Sequence, residues 1–103
     1  MHSEPPIACT LTGAQLPARR AEMAAIARDL VSADAWATRA VLRFRAAPGT
    51  RERVADFVAA ESHCCAFLRM ELRDDRDALT LTIDGPAGSE PVVGELVSAL
   101  RGR

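Results

Sequence analysis

The chain of 103 residues has no lysine and no tyrosine, one tryptophan, and aromatic residues at only 4 % of the total. All thirteen basic residues are arginine, set against fourteen acidic ones, for a formal net charge of -1. That balance argues against a nucleic-acid binder, which needs a net basic field or a strong basic patch. The absence of lysine reads as the imprint of a GC-rich genome rather than as a functional signal. No stretch approaches the ~18 consecutive apolar residues of a membrane span. Met1-His2-Ser3-Glu4-Pro5-Pro6 has neither the basic start nor the apolar run of a signal peptide. An even set of cysteines is also missing: there are three, whereas secreted disulfide frameworks usually carry four or more in pairs. A cytoplasmic protein with reduced thiols is expected.

What is present has clear periodicity. The length suits one domain, expected over residues 7–103 behind a loose tail at 1–6. Ile7-Ala8-Cys9-Thr10-Leu11 alternates like a short half-buried strand and sets Cys9 on the face of Ile7 and Leu11. Thr12 and Gln15 have capping-box spacing, but Pro17 moves the helix start towards Leu16. Met23, Ile26, Ala27, Leu30 and Val31 then follow at helical spacing, predicting a helix that ends near Ser32. From Trp36 to Ala46 the period changes to two, with Leu42 and Phe44 on one side and Arg43 and Arg45 on the other. Trp36 is expected to close one end of the core.

Pro48-Gly49 breaks that strand, and Thr50 is placed to cap a helix carrying Val54, Phe57 and Val58. Leu68, Met70 and Leu72 alternate with Arg69, Glu71 and Arg73; Leu79, Leu81 and Ile83 alternate with Thr80 and Thr82. Joined by Asp74-Asp75-Arg76-Asp77, the two runs predict a β-hairpin. Val92, Val93, Leu96, Val97 and Leu100 form the apolar face of a closing helix. The expected order is β-α-β-α-β-β-α. It describes an α+β two-layer sandwich with helices on one face of a four-stranded, mostly antiparallel sheet, a ferredoxin-like variant. The other face, with Arg43, Arg45, Arg69, Arg73, Glu71, Thr80 and Thr82, is expected to be solvated.

Chemistry concentrates at Glu61-Ser62-His63-Cys64-Cys65-Ala66-Phe67-Leu68. Glu61 is the next position on the stripe of Val54, Phe57 and Val58. At about 100° per residue, Cys64 lies roughly 60° to one side of it and Cys65 about 40° to the other. His63 falls on the opposite side. A carboxylate on a stripe that should be apolar breaks the local pattern, and such breaks tend to mark functional or strained sites. With Cys9 aimed at the same layer, three sulfurs and one carboxylate can form a cluster.

Thiolates select soft ions. The cysteine pair falls at a helix C-terminus, where the macrodipole disfavours a free thiolate and favours a bound cation. The candidate metal ligands are therefore Cys9, Cys64 and Cys65, the ion being Hg, As or Zn, with no further cofactor required. The spacing lacks the C-x-x-C pattern of a structural zinc site. Free cysteines also serve as small core hydrophobes, and Glu61 can instead pair with an arginine or cap a backbone. The acidic hairpin tip lacks the length and terminal glutamate of a calcium loop, and Gly85-Pro86 reads as a plain turn.

Ala8-Cys9-Thr10-Leu11-Thr12, Glu61-x-x-Cys64-Cys65-x-Phe67-Leu68, and the Leu79–Ile83 strand followed by Gly85-Pro86 together resemble a group of small bacterial cysteine-pair proteins. That group is found near, or fused to regulators of, mercury- and arsenic-type resistance genes. The resemblance spans nearly the whole chain and implies Cys9, Cys64 and Cys65 as heavy-metal thiolate ligands, with Glu61 as the accompanying carboxylate. Position 66 is often proline or glycine in that pattern and is Ala66 here.

Three functions are carried forward. The first is a small protein that binds a soft metal or metalloid for resistance, buffering or sensing. The second is an organomercurial-lyase-like enzyme in which Glu61, its pKa raised by burial near thiols, is the catalytic acid that delivers a proton to the departing carbon. The third is a non-catalytic interaction module whose cysteines only pack. The expected partner is the metal ion, with a second copy of the chain or a regulator left open, and neither nucleic acid nor membrane is expected.

Overall fold

The computed structural model describes residues 16–64 and 66–101, with side chains from 21 onward and without that of Cys64. Three helices and four strands follow one another: α1 Leu16–Ala27, β1 Leu30–Trp36, β2 Arg39–Arg45, α2 Thr50–Cys64, β3 Arg69–Asp74, β4 Ala78–Asp84 and α3 Glu90–Leu100. The strands form one sheet in the order β1-β2-β4-β3, and every neighbouring pair is antiparallel. This is the expected α+β two-layer fold. The expected strand Ile7–Leu11 and the capping pair Thr12 and Gln15 lie outside the described residues.

The described order is α-β-β-α-β-β-α: a strand stands where the end of the first helix is expected, and the strand expected from Trp36 begins at Arg39. The helix expected to reach Ser32 stops at Ala27, and Leu30–Trp36 is instead an edge strand. Its pairing with β2 shifts register between Leu30 and Ser32, a bulge that leaves Val31 67 % exposed. The strand turns into β2 through Ala37-Thr38, and Ala37 takes the left-handed conformation at φ 53°. Trp36 does not close the core. It ends β1 at 53 % exposure, on the solvent face of the sheet opposite Arg39.

The core lies between the helices and one sheet face. Ala33, Ala40, Leu42, Phe44, Leu79, Leu81 and Ile83 point inward from the strands. They meet Met23 and Ile26 of α1, Val54 and Phe57 of α2, and Val93, Val97 and Leu100 of α3. Burying a side chain of this size contributes about 1.5–3 kcal/mol. The opposite sheet face carries Arg43, Arg45, Arg69, Glu71 and Arg73 exposed, with Thr80 and Thr82 half-buried, as the alternation predicts. At the end of α3 the Arg101 guanidinium donates to the Ala33 carbonyl, tying the last helix to the β1 edge.

The start of α2 is anchored by a carboxylate from the preceding helix–strand turn. Thr50 is fully buried, and its hydroxyl donates to Asp29 Oδ2 at 2.7 Å. Arg53 Nη2 donates to the same oxygen at 3.1 Å, and the Asp29 carbonyl accepts from the Arg45 N–H at 2.7 Å. The Thr50 hydroxyl holds the Asp29 carboxyl below its ordinary value of 3.8, against the opposing effect of burial, with Arg53 and Arg45 adding to the lowering. A carboxylate beside a helix N-terminus also complements the helix dipole.

Candidate functional site

Helix α2 carries the buried stripe that the spacing predicts: Val54 and Phe57 are fully buried, Val58 is partly so, and Glu61 continues the row at 3 % exposure. His63 is exposed. Cys64 is the last residue of α2, three positions beyond Glu61. The Cys64 side chain, Cys65 and Cys9 all lie outside the described residues, so the meeting of the three sulfurs does too. Among the described residues no group of three or more His, Cys, Asp and Glu is placed to hold a metal ion. At the β3–β4 tip two acids are already engaged: Asp74 pairs with Arg51 at 2.7 Å, and Asp75 accepts from the Thr80 hydroxyl at 3.1 Å.

After the cysteine pair the chain turns through Ala66 and Phe67 into β3. Leu68 is buried and Phe67 half-buried against the core, so the apolar pair that follows the cysteines fixes the end of the α2–β3 connection. Beside this turn lies a cleft of about 340 Å³ lined by Phe67, Arg69, Asp84, Gly85 and Pro86. The sheet register explains its polar wall. Trp36, Arg39, Asp84 and Arg69 are directly opposite one another across the four strands, forming one row on the solvent face. Within that row Arg39 Nε lies 3.6 Å from Asp84 Oδ1.

Gly85 is held where no side chain fits. A Cβ there would stand 2.1 Å from Ser89 Oγ and 3.0 Å from Leu68 Cδ2. Ser89 is itself fully buried, donating to the Pro86 carbonyl at 2.6 Å, and the Gly85 N–H donates to the Thr38 carbonyl at 2.9 Å. The β4–α3 turn, the β1–β2 turn and the start of β3 are thus packed together at one end of the sheet. Glu61 faces inward and His63 outward, as the helical spacing predicts, whereas the cleft leaves no periodic signal in the sequence. The available signal was Asp84 and Arg69, each on the charged side of its strand and next to Gly85-Pro86 or Phe67.

No family model matches the chain, and no curated protein or solved structure matches it at a significant level. No helix among the described residues is long and apolar enough to cross a membrane.

Proposed function

We propose that this chain binds a soft metal or metalloid ion, of the Hg(II) or As(III) type, through Cys9, Cys64 and Cys65, with Glu61 as the accompanying carboxylate, in resistance, buffering or sensing. The observation that carries the reading is the burial of Glu61. A carboxylate at 3 % exposure continues the apolar row of Val54 and Phe57, three residues before the cysteine pair, where core packing does not call for one. The position of Cys64 at the C-terminus of α2 adds to it. The negative end of a helix disfavours a bare thiolate and favours a cation, and a thiolate-bound ion satisfies both.

The test is native mass spectrometry of the protein exposed to Hg(II) or As(III). The wild type takes up about one ion per chain, and Cys64→Ser/Cys65→Ser, checked for folding by circular dichroism, does not. Equal uptake by the two overturns the reading.

The same buried carboxyl supports a second reading, cleavage of a carbon–mercury bond. The Glu61 proton goes to carbon, the bond breaks with its electron pair staying on carbon, and mercury remains on the thiolates. Hydrocarbon released from an organomercurial by the wild type, and not by Glu61→Gln with metal uptake retained, distinguishes the enzyme from the binder.

A further inference from the structure

The cleft beside the α2–β3 turn has a composition that metal capture alone does not use. Its apolar wall is Phe67 and Pro86, both half-buried. Its polar wall is Arg69 and Asp84; Arg39, outside the lining, stands on the other side of Asp84 in the cross-strand row. Asp84 is engaged by Arg39, whereas Arg69 makes no ion pair among the described residues. The row therefore has one positive charge in excess, and that charge sits on a fork suited to bidentate carboxylate binding. An apolar wall beside one guanidinium is the composition of a small-molecule site. Phe67 is two residues from Cys65, so chain geometry limits their Cα atoms to about 7 Å.

We propose that the cleft binds a small carboxylate-bearing molecule with an apolar or aromatic body, its carboxylate on Arg69 and its body against Phe67 and Pro86. This deepens the metal reading and rests on it in one respect: the molecule is the organic group that carries the metal to Cys64 and Cys65. For an aryl mercuric hydroxide the step balances without redox chemistry. A cysteine sulfur forms the S–Hg bond, the Hg–OH bond breaks, and the thiol proton leaves with the hydroxide as water.

Two probes separate the parts: 4-(hydroxymercuri)benzoate, which has the carboxylate, and phenylmercuric hydroxide, which lacks it. Partition of each between the full-length protein and excess free cysteine cancels the intrinsic thiol affinity. On the wild type the carboxylate probe favours the protein about tenfold more than the phenyl probe, the scale of one charge-assisted hydrogen bond. Arg69→Gln removes that preference and leaves the phenyl partition unchanged. A role of Arg69 confined to activating the thiols lowers both partitions together, and that result, or an unchanged preference in Arg69→Gln, overturns the proposal.

Benzoate added to Cys64→Ser/Cys65→Ser, followed by amide chemical shifts, reads the cleft without the thiols. Saturable shifts at Phe67, Arg69 and Gly85 support the cleft even where mercurial uptake fails. Their absence overturns it even where uptake succeeds.

Discussion

The Thr50 hydroxyl donates to Asp29 Oδ2 at 2.7 Å, joining the α1–β1 turn to the first residue of α2 across 21 positions of sequence. Thr50 is fully buried and the Asp29 side chain only 14 % exposed, so water has little access to the acceptor when the bond is lost. Thr50→Val keeps the shape and removes the donor, which costs about 1–3 kcal/mol because the acceptor is charged. Arg53 reaches the same oxygen at 3.1 Å but is 43 % exposed, and Arg53→Gln costs less than about 1 kcal/mol. Urea denaturation followed by circular dichroism checks the order, and a larger loss in Arg53→Gln than in Thr50→Val contradicts it.

The same pair sets a pH dependence. The Asp29 carboxyl is lowered from 3.8 by the Thr50 hydroxyl first, and by Arg53 and Arg45 after it, with burial opposing. A carboxylate whose folded pKa is depressed contributes stability that is fully present above its unfolded value. That contribution is lost as pH falls through 3.8 towards the lower folded value. Wild-type stability therefore drops between pH 5 and the onset of acid unfolding more steeply than that of Asp29→Asn, which has no such proton to take up. Parallel profiles for the two proteins would falsify this assignment.

Trp36 is the only tryptophan, and at 53 % exposure on the solvent face it contributes little to the core. Trp36→Ala changes stability by no more than about 1 kcal/mol, whereas Phe44→Ala, at a fully buried position of β2, costs about 3–5 kcal/mol. Native Trp36 fluorescence is quenched by acrylamide nearly as readily as that of the urea-unfolded protein. A tryptophan that closed the core would instead be protected, and its removal would cost as much as that of Phe44.

How far these features were legible in the chain follows from the kind of signal each one leaves. Phe57, Glu61, Leu81 and Val97 lie on elements whose inward faces repeat at 3.6 or 2 residues, and their burial could be read directly. Strand β1 leaves no such trace. Leu30 and Val31 fit the helical stripe of Ile26 and Ala27, and Ala33 is the only buried residue of the strand. Its turn is Ala37-Thr38 rather than the Asn-Gly or Asp-Gly that announces a hairpin, with Ala37 bearing the positive φ that glycine usually takes. Tertiary pairing with Arg39–Arg45 decides the strand, and no local pattern encodes it. At the site, Glu61 was visible because it interrupts an apolar row. The cleft was not, since Arg39, Asp84 and Arg69 are neighbours only through the register of three strands.

The Gly85 turn allows a test of packing that is independent of any ligand. Gly85→Ala places a methyl 2.1 Å from Ser89 Oγ and 3.0 Å from Leu68 Cδ2. The end of Leu68 can give by a few tenths of an ångström, but the buried Ser89 hydroxyl is fixed by its 2.6 Å bond to the Pro86 carbonyl. The substitution costs about 1–3 kcal/mol as overpacking. Ser89→Gly removes the obstacle together with its hydrogen bond, for about 0.5–1.5 kcal/mol. In the double variant the methyl occupies the space the serine side chain has left, so the combined loss falls short of the sum by about 1 kcal/mol or more. Thermal melts of the four proteins complete the cycle. Additive losses would mean that the clash is relieved elsewhere in the turn and that Gly85 is not held by Ser89.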